Sequence, residues 1–229
     1  MGRLLGQLRI LSLSSARFRD REEAGKLLAV ELGEYRGQNA VVLGIPRGGV
    51  AVAHEIAKAL DADMDIVLAH KLGTPGHEEL AMGSVFEDGT LFLNQQLVRE
   101  FDIGEAYIQK EKARQIAEIQ RRTKLIRQVL PKIPLDGRIV IVTDDGVATG
   151  ATTQAAIWAV RAEQPRKLIV AIPVGPGDTI RKLAEDVDEM LCLRMPPLFE
   201  AVGQFYEQFG PVQDEDVLRI LVDSQKRHL

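Results

Sequence analysis

Short runs of aliphatic and β-branched residues alternate along the chain with amphipathic stretches. This alternation predicts an α/β fold, a parallel sheet core flanked by helices. Strands are expected over 40–45, 65–69, 138–143, 167–173 and 188–193, four of them near-continuously apolar, as in strands covered on both faces. Helices are expected between them over 49–60, 151–164 and 178–185, with another over 20–35. Two segments depart from the alternation. Residues 81–93 place Glu87-Asp88-Gly89-Thr90 between short apolar runs and predict a β-hairpin, since Asp-Gly supplies the positive φ of a tight turn. Residues 104–130 predict a long polar helix, with Ile116, Ile119, Ile126 and Val129 at helical spacing and Glu118 one favourable turn before Arg122. Its charges read as a solvated face, and Pro131 and Pro134 end it.

Length and charge narrow the picture. The 229 residues suit one large domain with a full hydrophobic core, and 45% hydrophobic with 27% charged residues is the balance of a globular protein. A net charge of -4 argues against a duplex nucleic-acid binder, though a small anion needs only a local cluster of donors. No apolar run approaches the roughly 18 residues of a membrane span. The first residues carry Arg3, Arg9, Arg17 and Arg19 without an acid, and Gln7 and Arg9 interrupt any signal-like apolar core. A loosely ordered extension over 1–17, a single domain over 18–229 and a cytoplasmic location are therefore expected. The single cysteine, Cys192, lies in an apolar run and reads as core packing.

The chemistry concentrates after residue 138. An apolar strand ends in Asp144-Asp145, and the small and hydroxyl residues Ala148-Thr149-Gly150-Ala151-Thr152-Thr153 lead into a helix. A helix N-terminus at the C-terminal edge of a parallel sheet offers free N–H groups to an anion, so the loop reads as a phosphate cradle. It has no lysine, which excludes the Gly-x-x-x-x-Gly-Lys nucleotide loop, and no Gly-x-Gly-x-x-Gly fingerprint follows any strand. Two carboxylates beside a phosphate suit a phosphate carried on a sugar, whose vicinal hydroxyls they would accept. The blander alternative is that they end a strand and cap a helix. A second strand-to-helix turn, Gly44-Ile45-Pro46-Arg47-Gly48-Gly49-Val50, presents bare N–H groups and one arginine, or is simply a tight turn.

The Val140–Thr153 segment resembles the signature of the type I phosphoribosyltransferases for 5-phosphoribosyl-1-pyrophosphate (PRPP), at every characteristic position. The resemblance implies a parallel core over about 40–193, a β-hairpin flap and a small, mostly helical hood drawn from 20–35, 104–130 and 195–229. It assigns Asp144 and Asp145 to the ribose hydroxyls, Ala148 to Thr153 to the 5-phosphate, and Arg47, Gly48 and Gly49 to the pyrophosphate. Residues 70–79, His70-Lys71-Leu72-Gly73-Thr74-Pro75-Gly76-His77-Glu78-Glu79, resemble the family's mobile catalytic loop, with Lys71 meeting the pyrophosphate. His77, Glu78 and Glu79 read equally as exposed loop residues. The implied reaction is magnesium-dependent transfer of the phosphoribosyl group to a nitrogenous base with release of pyrophosphate, in a homodimer, with neither nucleic acid nor membrane as partner.

Members acting on hypoxanthine and guanine carry an aspartate where this chain has Ala148, which argues against a 6-oxopurine acceptor. The aromatic cluster Phe199, Phe205, Tyr206 and Phe209 could stack a base or pack on the core. A PRPP-binding regulator with little transferase activity is the alternative of a different class; retention of Lys71 and a full flap favours the enzyme.

Overall fold

The computed structural model describes residues 7–225, apart from the side chains of Glu78, Glu79 and Glu118. Any role for Glu78 and Glu79, the pairing of Glu118 with Arg122, and Arg3 thus lie outside the described residues. In chain order the elements are β1 (Gln7–Ser12), α1 (Arg21–Glu31), β2 (Ala40–Gly44), α2 (Gly49–Leu60), β3 (Asp63–Ile66), β4 (Ala69–Thr74), β5 (His77–Phe86) and β6 (Leu91–Leu93). There follow α3 (Gln95–Glu100), α4 (Glu105–Arg127), β7 (Ile139–Thr143), α5 (Ala151–Ala162), β8 (Lys167–Val174), α6 (Gly177–Ala184), β9 (Glu189–Arg194) and α7 (Asp214–Gln225), with single 3-10 turns at Gly33–Tyr35 and Val202–Phe205.

The six-stranded main sheet has the order β1-β9-β8-β7-β2-β3, every neighbouring pair parallel. Alternate side chains of its buried strands feed two cores. Val42, Ile141 and Leu191 pack with Leu28 of α1, Ile56 of α2 and Leu221 of α7. Val140, Val170 and Met190 face the other way, onto Ile157 of α5 and Leu183 of α6. Burial on both faces is why these strands read as unbroken apolar runs. The chain winds outward from β2 to β3 on one side and from β7 through β8 to β9 on the other, so the topological switch point lies between β2 and β7, the position where open α/β sheets bind ligands.

A second sheet, β4-β5-β6, is antiparallel. It packs against α4 through Leu72, Met82, Val85, Ile108 and Ile119, and against α5 through Phe92, whose ring lies 4.7 Å from that of Trp158.

Three expectations are corrected. The loosely ordered extension over 1–17 is, from Gln7 to Ser12, an edge strand paired in parallel with β9. Arg9 breaks its apolar pattern, but the guanidinium is consumed by Glu31 and Glu189 at 3.1 and 3.2 Å. The strand expected over 65–69 runs instead over Asp63–Ile66, with Asp65 buried in it and paired with Arg127 at 2.8 Å, and Ala69 opens β4. The loop expected over 70–79 is a hairpin, β4 turning through Pro75-Gly76 into β5, with Leu72 and Thr74 wholly buried. The Asp88-Gly89 turn sits where the chain predicts it, between β5 and β6, with Gly89 at φ +82°. Cys192 is buried in β9, and burial pushes its thiol up to about 12, so it packs as a small apolar residue.

Candidate functional site

β2 and β7 run side by side in register and end together at Gly44 and Thr143. The turn after β2 is tied to β7 by the Ile45 N–H, which donates to the Thr143 carbonyl at 2.9 Å. The two turns nearly touch. A Cβ at Gly49 would lie 2.7 Å from Asp144 Cα and 2.8 Å from the Thr143 carbonyl oxygen, so only glycine permits this approach. Gly48 stands directly against the Asp145 carboxylate, and the peptide between Pro46 and Arg47 is cis. Arg47 itself is exposed and borders a small recess shared with Arg122 of α4 and Val217 of α7.

Asp144 and Asp145 sit half-buried at the mouth of β7. Desolvation, followed by the neighbouring Asp145 charge, pushes the Asp144 carboxyl well above the ordinary carboxylate range. Its Oδ1 accepts the Asp145 N–H at 2.8 Å. Arg21, the first residue of α1, donates from Nε to Asp145 Oδ2 at 2.7 Å, and the Tyr206 hydroxyl donates to the Asp145 carbonyl at 2.6 Å. Burial raises the Tyr206 phenol above its usual value, which keeps it a donor. Phe209 completes the support, its ring stacked on Tyr206 and lying 4.0 Å from the Arg21 guanidinium carbon. Two acids held this closely favour a partner that brings positive charge or donates hydrogen bonds.

The cradle follows. Gly150 adopts φ +77° immediately before α5, a left-handed conformation suited to glycine, and Thr179 Oγ1 donates to the Ala148 carbonyl at 2.9 Å. Ala148, Thr149 and Thr152 are exposed, whereas Ala151 and Thr153 are buried. Thr152 borders the main cleft; Thr149, Gly150 and Ala151 border a second hollow of about 150 Å³ with Thr179 and Lys182.

The main cleft encloses about 540 Å³, in the range of small-molecule sites. Its floor comes from Ile45 and Pro46, one wall from His70 and Lys71 of β4, and the facing wall from Tyr107, Lys110, Glu111, Arg114, Gln115 and Arg122 of α4. The charged face of α4 reads from its pattern as solvated, while the family resemblance places 104–130 among the hood candidates; it lines this cleft. Glu111 Oε1 accepts from Arg114 at 2.7 Å and from Gln115 Nε2 at 2.9 Å. A carboxylate only accepts, so the Gln115 amide turns its oxygen toward His70, and His70 Nδ1 donates to it at 3.0 Å. In the neutral form of the ring this leaves Nε2 as an acceptor. The sequence gives no local sign of this relay, nor of Arg21, because each depends on residues far apart in the chain.

The aromatic cluster packs on the core. Phe205 and Tyr206 are buried, and Phe199 stacks on Phe205 at 5.3 Å. None of the four aromatic residues lines the main cleft among the described residues.

The sequence profile of the phosphoribosyl transferase domain matches residues 86–209, more than half of the chain. This chain belongs to the phosphoribosyl transferase family. A crystal structure from Thermus thermophilus, 43% identical, superposes with a TM-score of 0.86 over 90% of this chain and 98% of that one. Provisionally named phosphoribosyl transferases from two Mycobacterium tuberculosis strains are 44% identical over 204 residues, which is 89% of this chain and 46% of each relative. The chain thus spans about half the length of these curated relatives. The matched residues include the loop after β7 and the start of α5, whereas the turn after β2 lies outside them.

Proposed function

We propose that this protein transfers the 5-phosphoribosyl group of PRPP to a nitrogenous acceptor and releases pyrophosphate. The observation that carries the reading is the convergence, at one switch point, of Asp144-Asp145, the Gly48-Gly49 turn and the cradle before α5. In this reading the backbone N–H groups and hydroxyls of Ala148, Thr149, Gly150, Ala151, Thr152 and Thr153 receive the 5-phosphate. Asp144 and Asp145 accept the ribose hydroxyls, with Arg21 and Tyr206 fixing the orientation of Asp145. Arg47, the Gly48 amide and Lys71 stabilise the departing pyrophosphate as its charge develops, while Gly49, whose N–H donates to the Ile45 carbonyl at 3.1 Å, contributes by its lack of a side chain. The acceptor nitrogen forms its bond to C1 as the C1–oxygen bond breaks, and an N–H proton released in transfer can pass to His70 Nε2.

Magnesium fits this site as an ion carried by the substrate. Among the described residues no group of three or more His, Cys, Asp or Glu forms a metal cage, whereas the Asp144-Asp145 pair offers hard oxygen donors beside the sugar. Bound with PRPP, it would neutralise charge on the leaving pyrophosphate. The same reading makes the protein a cytoplasmic homodimer that needs neither nucleic acid nor membrane. The net charge of -4 argues against a duplex nucleic-acid partner, and among the described residues no helix is long and apolar enough to cross a membrane.

The test is calorimetric titration with PRPP and magnesium, followed by an acceptor panel read out as pyrophosphate release. Saturable, magnesium-dependent binding is expected, and the Asp144→Asn, Asp145→Asn double variant is expected to lose it while melting as a folded protein. Normal affinity in that variant, or no binding of PRPP at millimolar concentration, overturns the assignment. Binding without release for any acceptor favours the regulatory alternative.

A further inference from the structure

We propose that the acceptor is an N–H heterocycle, attacking through a ring nitrogen that carries a hydrogen, and that His70 takes the proton, held in the required tautomer by Gln115 and Glu111. The inference rests on the phosphoribosyl-transfer reading and deepens it by naming the class of the second substrate.

His70 stands on β4 in the wall of the main cleft, which Thr152 of the cradle and Ile45 and Pro46 of the turn after β2 also border. The ring thus faces the space that the seats of the 5-phosphate and the pyrophosphate adjoin. Its tautomer is set from behind. The Glu111 carboxylate only accepts, so Gln115 Nε2 donates to Glu111 Oε1 at 2.9 Å, and the amide oxygen is left to accept the His70 Nδ1–H at 3.0 Å. Gln115 follows Glu111 by four positions on α4, so both project from one face of a single helix. With Nδ1 fixed as the donor of the neutral ring, Nε2 accepts, and it is matched only by a group that brings a proton. A pyridine-type nitrogen brings a lone pair instead and needs no base.

As the acceptor nitrogen bonds to C1, the C1–oxygen electron pair leaves with pyrophosphate, the N–H electron pair stays on nitrogen, and the proton passes to Nε2. The imidazolium so formed donates from both nitrogens, keeps its bond to Gln115, and gives the proton to water once the products leave. Other groups in the cleft are committed or unsuited. Glu111 Oε1 already accepts from Arg114 and Gln115, and the Tyr107 hydroxyl donates to the Gly73 carbonyl at 3.3 Å. Charged lysine and arginine side chains only donate. Gly146, Val147 and Ala148, which follow the acid pair, have no side chain that can take a proton.

PRPP with magnesium is titrated first. Pyrophosphate release from the loaded protein is then followed with adenine, uracil and benzimidazole, which react through N–H, and with pyridine-3-carboxylate and pyridine-3-carboxamide, whose ring nitrogens carry no hydrogen. Release is expected with at least one N–H member and with neither pyridine. His70→Ala should melt as a folded protein and keep its PRPP affinity within about two-fold, while kcat for that acceptor falls about 100-fold. Added N-methylimidazole, a base with no N–H of its own, should restore about ten-fold of the loss. Gln115→Leu and Glu111→Leu should each lower kcat about ten-fold at nearly constant KM, and Glu111→Gln, which keeps an oxygen for the Gln115 amide, should recover most of it. Release with a pyridine as fast as with every N–H member overturns the acceptor class and leaves the transfer reading standing. Unchanged kcat in His70→Ala, no rescue by N-methylimidazole, or loss of PRPP affinity in that variant overturns the role of His70. PRPP binding with no release from any member overturns the inference as well. Failure of the wild-type protein to bind PRPP brings down the transfer reading itself and this inference with it.

Discussion

Gly49 meets two opposed demands. As the first residue of α2 it occupies a position where alanine would favour the helix by about 1 kcal/mol. A Cβ there would collide with backbone, Asp144 Cα at 2.7 Å and the Thr143 carbonyl oxygen at 2.8 Å, neither of which can swing aside. Overpacking of this kind costs about 2 kcal/mol, so sterics win. Gly49→Ala is expected to lower stability in urea denaturation and to weaken PRPP binding in calorimetry by more than about ten-fold, as the two turns part. A stabilised variant with normal PRPP affinity would show that the turns have room. At this scale the chain itself discloses Asp144, Asp145 and the cradle because they are contiguous. Arg21 and Tyr206 reach Asp145 from 124 and 61 positions away, and nothing in their local sequence marks them.

Among the elements, α4 shows best how a polar helix is held. Few of its residues are buried, and its C-terminal turn is anchored by Arg127, which donates to Asp65 at 2.8 Å and to both oxygens of Glu87 at 2.5 and 2.8 Å. Burial pushes the Asp65 carboxyl up, and the Arg127 charge pulls it back toward ionisation. Arg127→Met would leave Asp65 buried without its cation, at a cost of about 3 kcal/mol by chemical denaturation. Adding Asp65→Asn should recover part of that loss; no recovery would mean the destabilisation comes from packing alone. The long helix is legible in the sequence through Ile119 and Ile126, but the face that borders the cleft is not, since a charged stripe looks the same whether it meets water or a cleft. α7 was open to recognition from three acids in its first turn and the spacing of Val217 and Leu221. β4 was concealed because its buried residues, Ala69, Leu72, Gly73 and Thr74, are interrupted by the adjacent His70 and Lys71, which border the cleft, so no period of two marks the strand.

For the whole molecule, Glu189 is the tie that joins the sheet edge to its helices. It accepts from Tyr35 at 2.5 Å, from Lys167 of β8 at 2.9 Å and from Arg9 of β1 at 3.2 Å. Burial alone would raise its carboxyl; the hydrogen bonds from Tyr35 and Lys167 outweigh that and hold it below the ordinary value. A carboxylate lowered in the folded state adds stability that is present above its unfolded value of about 4.3 and is lost as the pH falls through the folded value. Glu189→Gln should therefore be less stable at neutral pH, by about 2 kcal/mol given that Lys167 and Arg9 are about one-third exposed. Its stability should also fall less steeply in acid than that of the wild type, and parallel curves would refute the assignment. The parallel core is legible because both of its faces are covered, which writes apolar runs into the chain. The edge strand is not, because its arginine finds its partners only after folding.

The second sheet and α4 share an apolar cluster of their own, Leu72, Met82, Val85, Ile103, Ile108 and Ile119, separate from the two cores of the main sheet. The unit thus has a core partly its own, though Phe86 and Phe92 also pack onto the main core, and a unit so held can open before the rest of the molecule. In the transfer reading proposed above, gentle warming is then expected to cost the protein its discrimination among acceptors before its grip on the sugar phosphate, so that it fails first as a chooser and only later as a binder.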